Sequence, residues 1–543
     1  MNPKKFLVLL FSFSLTASVF AAVGNPKAPK GGTFKYNLES QPPTLNALSS
    51  SDYYASVVQN YVMEGLLTRN PETREWEPGL AAKWEISKDG LKYTFTLRDG
   101  VKWHDGKPLT IEDVKFSYDA IMHPKDKYKT ARLKPYYENI KDAVVIDKKT
   151  IVFTAKKVYF LNFDVVAGLT VVPKHLYENP TKKQKKKLNK TLVGTGPYTL
   201  HKFKRGKSIT LKKNKSWWGS KEKHLANEYN YDQILMRFVK ERTAGLRRLE
   251  KGQLDFQEMT AENYMKNTKG DKWGKEVFKV KMQNKAAKGY GFIGWNLKDP
   301  ILKDKKVRKA LYHLLDREKM IEKFRYGLAE PATGPLYRKS VYANGNVRPI
   351  LYNFKEAKFL FKKAGWADTD GDQILDKVIN GKKTKMSITI LEPNKEFVKY
   401  LTMYKEDAKK AGVEINVKLI EWNAFLKLLD ERKFQAVRLG WGAGSIDWDP
   451  KQIWHSASQK GGSNFIGYNN PEVDKLIDEA RTLLDFKKRQ KVLQKVFKLI
   501  ADDVPYAFFF NDKFGFYGHT KRMKREKDSY NYSVGISYWW IKK

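Results

Sequence analysis

Carboxylate side chains between Asp368 and Asp376 stand at a spacing that could bind a metal ion. Aspartates occupy positions 1, 3 and 5 of this segment, as they do in calcium-binding loops, whose ligands are oxygen atoms. Position 6, where such loops have glycine, is Gln373, and position 12, where they have glutamate, is Ile379. We therefore predict a plain acidic turn, with calcium binding as the alternative.

Histidines are the other candidate metal ligands, and the chain has eight of them and no cysteine. None of the histidines has a partner at the spacing that transition-metal sites use. Residues 193–198 are rich in glycine, but they lack the Gly-Lys-Ser/Thr sequence that holds phosphate. The sequence therefore predicts no metal and no other cofactor.

Nucleophilic catalysis finds no support in the sequence. Neither Gly-x-Ser-x-Gly nor His-Glu-x-x-His occurs, and the absence of cysteine excludes a cysteine nucleophile. Asp447 and Asp449 are paired carboxylates of the kind that a glycosidase uses, but aspartate is also common in turns such as the one before Pro450. We predict that the chain is not an enzyme, with a secreted hydrolase as the alternative.

Residues 80–118 carry the clearest pattern of secondary structure. Stretches such as Leu91–Leu97 predict short strands, and the Asp-Gly pairs between them predict tight turns. Thr110 predicts the N-cap of a following helix, because its hydroxyl can accept a backbone N–H. The region therefore reads as consecutive strands followed by a helix.

The pattern changes after Gly291. Phe292–Asn296 predicts a short strand, and apolar residues between Val307 and Phe324 recur at the spacing of one long amphipathic helix. Residues 387–391 and 414–420 predict two strands with a helix between them. Strand–helix–strand order is typical of an α/β fold.

Residues 1–21 have the features of a signal peptide. Lys4 and Lys5 precede an apolar run, residues 6–20, which is shorter than the roughly 20 residues that span a bilayer. We expect cleavage after Ala21. Since there is no cysteine, neither disulfides nor a lipid-modified cysteine can form. We predict export through the Sec pathway to the periplasm, without lipidation.

The formal net charge of +43 by itself favours a polyanionic partner. The lysines, however, are spread along the whole chain, and the dense run at residues 182–187 has no interleaved aromatic residues on which bases could stack. We therefore predict no nucleic acid partner. A surface protein that binds polyanions remains an alternative, and steep loss of binding with salt would support it.

Five segments together resemble one protein family. They are residues 64–67 (EGLL), 80–121 (LAAKWEISKDGLKYTFTLRDGVKWHDGKPLTIEDVKFSYDAI), 194–198 (GTGPY), 296–311 (NLKDPILKDKKVRKAL) and 467–481 (GYNNPEVDKLIDEAR). In this order they are similar to the peptide/nickel-type (family 5) extracellular solute-binding proteins of ABC importers. The likeness spans almost the whole chain beyond residue 21, and residues 80–121 are its most specific part.

This resemblance implies an α/β fold with two lobes that grip a ligand and an additional domain, the type II (cluster C-like) periplasmic binding protein fold. Lobe I is expected from residues 22–60, 194–290 and 501–543, the additional domain II from 61–193, and lobe III from 291–500. Members of the family bind peptides, metal chelates, haem, oligosaccharides or opines. The fold therefore does not fix the ligand.

Residues 434–450 (FQAVRLGWGAGSIDWDP) resemble the oligopeptide-binding members of the family. In those proteins an arginine and, three residues later, a tryptophan flank the peptide; the matching residues here are Arg438 and Trp441. Arg438 is expected to hold a ligand carboxylate through two hydrogen bonds, and Trp441 to stack on the ligand. The implied function is capture of peptides or peptide-like solutes by a monomer, for delivery to a membrane permease.

The anchor for the ligand's amino terminus departs from that pattern. The aspartate that pairs with the amine in the oligopeptide binders is Gly444 here, and the run before Pro450 is two residues longer. Asp447 or Asp449 is the expected substitute, and the alternative is that this anchor is missing. An oligosaccharide, an opine or a metal chelate is therefore kept as an alternative ligand.

Three further residues are candidates for the cleft. Asn296 ends a strand near the expected hinge and could bond the ligand backbone, with a turn cap as the alternative. Trp448 could line a side-chain pocket, with core packing as the alternative. Tyr506 is a candidate because its segment returns to the hinge lobe.

Overall fold

The computed structural model describes residues 22–50, 52–123, 128, 133–442 and 446–542. Two features of the sequence analysis, the signal peptide at residues 1–21 and Gly444, lie outside the described residues. Of the helices in the described ranges, none combines the length and the apolar character that crossing a bilayer requires.

Strands and helices are interspersed along the described chain, with runs of consecutive strands in residues 67–97 and 506–524. The strands are β1 Thr33–Asn37, β2 Leu67–Arg69, β3 Trp76–Pro78, β4 Ala81–Ile86, β5 Lys92–Leu97, β6 Ile140–Val145, β7 Thr150–Ala155, β8 Tyr198–Lys204, β9 Ser208–Lys213, β10 Gln233–Arg237, β11 Phe256–Met259, β12 Val277–Met282, β13 Tyr290–Trp295, β14 Ala329–Pro331, β15 Asp376–Ile379, β16 Lys382–Lys385, β17 Ser387–Glu392, β18 Glu414–Leu419, β19 Ala436–Trp441, β20 Tyr506–Phe508, β21 Phe510–Asp512, β22 Gly515–Thr520, β23 Met523–Lys524 and β24 Trp540–Ile541. The helices are α1 Tyr53–Gln59, α2 Ile111–Met122, α3 Lys134–Tyr137, α4 Asn162–Ala167, α5 Lys174–Tyr177, α6 Lys182–Leu188, α7 Arg242–Glu250, α8 Ala261–Lys266, α9 Lys305–His313, α10 Arg317–Arg325, α11 Phe354–Lys363, α12 Val398–Lys410, α13 Trp422–Asp430, α14 Lys451–Trp454, α15 Pro471–Thr482 and α16 Phe486–Asp503.

Lobe I is built on a seven-stranded sheet in the order β12-β22-β11-β1-β10-β9-β8. Strand β1 is central and runs parallel to both β10 and β11. Strand β22 returns antiparallel between β11 and β12. Phe34, Ile234 and Phe256 project from neighbouring strands and are fully buried, so the centre of the sheet carries the core of this lobe.

Domain II contains an antiparallel sheet in the order β4-β5-β7-β6. The predicted cap Thr110 begins α2, and with Asp113 it forms a capping box. The chain passes back to lobe I beside Val62, where a Cβ atom added to Gly194 would lie 1.8 Å from the Val62 carbonyl oxygen. Only glycine fits this crossing.

Lobe III is built on a five-stranded sheet in the order β18-β17-β19-β13-β20. Strand β17 is parallel to β18 and β19, whereas β13 is antiparallel to β19 and β20. The single helix predicted between Val307 and Phe324 is wrong, because the structure has two helices, α9 and α10. The Asp316 carboxylate accepts the Lys319 N–H at 3.0 Å and so begins a new helix.

The chain crosses between the two large sheets at two places. It leaves lobe I after β12 and enters lobe III at β13, and it returns between β20 and β22. Because β20 pairs with β13 in the sheet of lobe III, the predicted boundary between residues 500 and 501 is about ten residues too early. The other predicted boundaries stay predictions.

Candidate functional site

The direction of the strands decides which edges of the two sheets face each other. Strand β12 runs parallel to β11, so both end at the edge of lobe I where β1 and β10 also end. The chain then enters lobe III through Tyr290, which is paired with Trp441 at the carboxyl end of β19. The carboxyl ends of the parallel strands in both lobes therefore meet at the crossings, which is where α/β proteins place their ligand sites.

Arg438 lies at this edge of lobe III. It follows Val437, the register partner of Leu391, so it comes next to Glu392, the last residue of β17. Its Nε atom is 3.4 Å from Glu392 Oε2, and its guanidinium lies over the Phe397 ring, 3.3 Å from the centroid. The predicted carboxylate anchor is thus at the cleft edge but already has an acidic neighbour.

Burial acts on both members of this pair. It lowers the pKa of Arg438 to about 10, although the nearby Glu392 opposes the shift. Burial also raises the pKa of Glu392 to about 7, against the effect of Arg438. Neither Arg438 Nε nor Glu392 Oε2 makes a hydrogen bond with the described residues. The pair therefore has one unused hydrogen-bond donor and one unused acceptor at the edge of the cleft.

Trp441 ends β19 and is half-buried. Its ring lies nearly parallel to two phenylalanine rings, with centroids 6.2 Å from Phe292 and 6.0 Å from Phe465. This stacking fixes the plane of the indole at the crossing between the lobes. Its predicted contact with a ligand stays a prediction.

Asp447 and Asp449, the expected anchors for a ligand amine, both contact domain II. Asp447 Oδ2 lies 3.5 Å from Arg74 Nη1, and its Oδ1 accepts the Tyr342 hydroxyl at 3.1 Å. Asp449 Oδ2 accepts the Tyr159 hydroxyl at 2.6 Å.

The Asp449 carboxylate also accepts a charge-assisted hydrogen bond from Arg481 Nη1 at 2.7 Å. Both side chains of this ion pair are almost fully buried, at 4% and 5% exposure. Arg481 continues the network to Glu138 of domain II at 3.1 Å. The Asp449 carboxylate is already bonded to Tyr159 and Arg481. It therefore serves the contact between lobe III and domain II.

The three remaining candidates lie in packed surroundings. Tyr506 is 1% exposed, with its ring 3.8 Å from Phe292 in a parallel stack, and Trp448 is 9% exposed in the same core. Asn296 donates to the Phe434 carbonyl at 2.8 Å and accepts the Lys298 N–H at 3.1 Å. Core packing explains the positions of Tyr506 and Trp448, and a turn explains the hydrogen bonds of Asn296. Their binding roles stay predictions.

The placement of Asn296 near the hinge is wrong. Strand β13 begins at the crossing with Tyr290 and ends at Trp295, which is paired with Ala436 at the start of β19. Asn296 is therefore at the far end of the strand, about 20 Å from the crossing at the usual rise of a strand. A one-dimensional pattern gives the end of a strand but not which end faces the neighbouring lobe.

Lobe I contributes a wall of the cleft that the sequence patterns do not predict. It holds a cavity of about 310 Å³ at the carboxyl ends of its parallel strands. The cavity is lined by Tyr36, Asn37, Leu38, Glu39, Tyr53, Tyr54, Arg242, Gln257 and Glu258. The available sequence signal was two adjacent tyrosines at the start of α1, of which Tyr53 remains 65% exposed.

One ion pair and one longer-range electrostatic interaction link lobes I and III beside this wall. Glu262 of α8 forms an ion pair with Lys399 of α12. Burial lowers the pKa of Arg242, but surrounding carboxylates outweigh this effect and the net shift is upward; one of them is Glu396 of lobe III. The cavity of lobe I therefore faces lobe III.

The acidic segment near Asp368 lies on lobe III. Carboxylate oxygens of Asp368, Asp370 and Asp376 are within 4.8 Å of one another. Lys383 Nζ is 3.0 Å from Asp370 and 3.5 Å from Asp376, so a lysine already supplies positive charge to these carboxylates. The acidic turn and its calcium alternative both stay predictions.

Comparison with known proteins gives one family match. The sequence pattern described as "Bacterial extracellular solute-binding proteins, family 5 Middle" matches residues 75–464. That range covers all of β19 and most of lobe III and domain II.

Individual relatives extend the likeness over nearly the whole chain. The oligopeptide-binding protein AppA of Bacillus subtilis is 29% identical over 98% of this chain and 95% of its own length. A dipeptide-binding protein of Escherichia coli is 26% identical over 92% of this chain and 92% of its own length.

Solved structures share the fold. The structure of Bacillus subtilis AppA in complex with a nonapeptide superimposes with a TM-score of 0.82, at 28% identity over 95% of this chain and 100% of that one. NikZ of Campylobacter jejuni, in complex with Ni(L-His), gives a TM-score of 0.77 at 25% identity over 93% of this chain and 99% of that one.

Proposed function

Because the chain belongs to family 5 of the bacterial extracellular solute-binding proteins, we propose that it captures peptides or peptide-like solutes between lobes I and III and delivers them to the permease of an ABC importer. The observation that carries this proposal is the meeting of two carboxyl edges at the chain crossings, with Arg438 on one edge and a cavity on the other. Relatives that bind oligopeptides and dipeptides support the choice of ligand.

Two crossings allow the lobes to close on a guest as rigid bodies. Closure removes water from the guest, and a buried charge is then costly unless a fixed opposite charge meets it. The guanidinium of Arg438 can meet a carboxylate through two parallel hydrogen bonds. Trp441 is held in place by its own stacking partners, so it offers a preformed surface to the guest.

Glu392 modulates this anchor in our proposal. While its carboxylate is ionised it competes with the ligand for Arg438. Since burial raises the pKa of Glu392 to about 7, protonation near neutral pH weakens this competition. The ligand carboxylate then takes over the guanidinium.

Further parts of the proposal concern the setting of the protein. We propose a monomer that is exported by the signal peptide at residues 1–21, works in the periplasm and is not lipidated. We also propose that it has no catalytic activity. The carboxylates of Asp447 and Asp449, which a glycosidase would need free, are tied to Arg74 and Arg481.

The first experiment is native mass spectrometry of the freshly purified mature protein. Peptides carried from the cell would appear as mass additions, and their fragmentation would identify them. Additions that prove to be sugars or metal chelates would contradict the peptide assignment while leaving the solute-binding role in place.

A second experiment tests the anchor in Arg438→Ala, with Arg432→Ala as the matched control. Arg432 is an arginine of the same lobe whose guanidinium contacts backbone carbonyls and the Phe465 ring. We expect the peptides that the wild-type protein carries to be lost from Arg438→Ala and kept by the control. Unchanged peptide capture by Arg438→Ala would exclude Arg438 as the anchor.

A further inference from the structure

A cavity on lobe I combines aromatic rings with carboxylates at the face turned towards lobe III. Tyr36 comes from β1, Tyr53 and Tyr54 from the start of α1, and Glu258 from β11. With Arg242 of α7, four separate parts of the chain build one concave cavity of about 310 Å³. This volume is at the lower end for ligand pockets, so it suits one group of a larger ligand.

The cavity is predominantly negative. It is lined by two carboxylates, Glu39 and Glu258, and by one cation, Arg242, whose Nε donates to Glu39 Oε1 at 2.9 Å. The pairing of Glu39 with Arg242 leaves Glu258 as the available carboxylate. None of the described residues donates a hydrogen bond to the carboxylate oxygens of Glu258. A negative cavity is unexpected in a chain with a net charge of +43.

Buried amides hold the acidic residues in place. Asn37 Nδ2 donates to Gln257 Oε1 at 2.9 Å, and Asn37 Oδ1 accepts the Glu39 N–H at the same distance. Gln257 is 1% exposed and immediately precedes Glu258. Glu39 lies two residues after Asn37, and Glu258 directly follows Gln257. The buried amide pair therefore fixes the backbone that carries both carboxylates before a ligand binds.

The side chain of Glu258 is exposed to the open cavity, and the surrounding walls desolvate its carboxyl group in part. This desolvation raises the pKa of its carboxyl group, although Arg242 opposes the shift. A ligand cation that enters the cavity would restore the lost charge compensation. The faces of the tyrosine rings attract cations as well.

On the opposite side of the cleft, both candidate aspartates among the described residues are already engaged. Asp449 is held by Arg481 and Tyr159, and Asp447 by Arg74 and Tyr342. Arg438 adds positive charge at the carboxyl edge of lobe III, with Glu392 beside it.

Building on the proposed function, we propose that the cavity lined by Glu39, Glu258 and the three tyrosines is the subsite for an ammonium group of the captured peptide. A peptide then lies across the cleft with its carboxylate towards Arg438 of lobe III and its ammonium in lobe I. Lobe I therefore replaces the lobe III aspartates as the anchor of the positive end. An amino terminus and a lysine side chain carry the same ammonium chemistry, and the experiment separates them.

The test uses four pools of synthetic pentapeptides of mixed sequence with a free carboxyl terminus. The pools have a free or an acetylated amino terminus, each with or without lysine. Capture is read by native mass spectrometry for the full mature protein, for Glu258→Gln and for the control Glu276→Gln. Glu276 is an exposed carboxylate of lobe I that pairs with Lys521, away from the cavity.

We expect the wild-type protein and Glu276→Gln to prefer pools that carry an ammonium group. Glu258→Gln should lose roughly tenfold of this preference, the scale of one charge-assisted hydrogen bond, while it still captures peptides. A preference for the free terminus identifies the terminus as the source, and a preference for lysine identifies the side chain.

Two results would overturn the subsite, and a third would remove its foundation. The subsite is overturned if the wild-type protein does not distinguish the pools, or if Glu258→Gln keeps the full preference with a melting temperature like that of the control. If the wild-type protein captures no peptide from any pool, the proposed function itself fails and the subsite falls with it.

Discussion

The two walls of the cleft differ in how their charges are used. On lobe III, Arg438 has Glu392 beside it, and Asp449 is buried against Arg481 and Tyr159. On lobe I, Glu258 is open to the cavity and receives no hydrogen bond from the described residues. A charged residue next to a cleft can thus serve either the contact between domains or the ligand, and its partners indicate which.

The largest effect should come from removing a charge in the contact between lobe III and domain II. We expect Asp449→Ala to lower the free energy of unfolding by about 3 kcal/mol, because it leaves the buried Arg481 guanidinium without its closest counter-charge. Urea unfolding followed by circular dichroism measures this. Asp447→Ala, which removes a carboxylate that is 26% exposed, should cost less. Equal losses for the two variants would contradict the special role of Asp449.

The next effect concerns binding at the lobe III wall. We expect Arg438→Lys to weaken the capture of a peptide with a free carboxylate by roughly 10-fold to 100-fold, because lysine cannot form the two parallel hydrogen bonds. Isothermal titration calorimetry with a peptide identified by native mass spectrometry measures this loss of affinity. The same peptide with an amidated carboxyl terminus should lose affinity for the wild-type protein but show little difference between the two proteins. A loss that is equal for both peptides would disprove the carboxylate contact.

A smaller effect should appear as a dependence on pH. Because the pKa of Glu392 rises from 4.5 to about 7 on folding, this group favours the folded state below pH 4.5, and that contribution is lost as the pH rises to about 7. We expect the unfolding free energy of the wild-type protein to fall more steeply over this range than that of Glu392→Gln. Denaturant titrations at intervals of half a pH unit give the difference. Parallel curves would show that Glu392 does not titrate in this window.

The smallest effect should come from Asn296, at the far end of β13. We expect Asn296→Ala to cost about 1 kcal/mol of stability through the lost turn hydrogen bonds and to leave peptide affinity unchanged. Thermal unfolding and titration calorimetry measure the two quantities. A fall in affinity without a fall in stability would restore Asn296 to the binding site.

Local sequence patterns predicted much of the framework. Strand β5 begins one residue after the start of the predicted stretch Leu91–Leu97 and ends at the same residue, because alternation of side chains depends only on neighbours along the chain. Thr110 and its capping box are equally local. The split between α9 and α10 was missed because the apolar spacing continues across the break, where the Asp316 cap decides.

The candidate site was harder to predict from the sequence. Arg438 was found through a motif, and the structure places it at the cleft edge. Its neighbour Glu392 ends a different strand, and residue spacing along the chain does not show that these two parallel strands lie side by side. The lobe I cavity was not predicted for the same reason, since its tyrosines, carboxylates and arginine come from β1 and the residues just after it, from α1, from α7 and from β11.

The sequence alone determined the family, the mixed α/β character, the absence of disulfides and the identity of the charged residues available to a ligand. Tertiary structure alone decided which of those charges are engaged. Asp449 and its hydrogen-bond partner Tyr159 are 290 residues apart. An ion pair depends on distance and desolvation, and both are set by packing between segments that are remote in the chain.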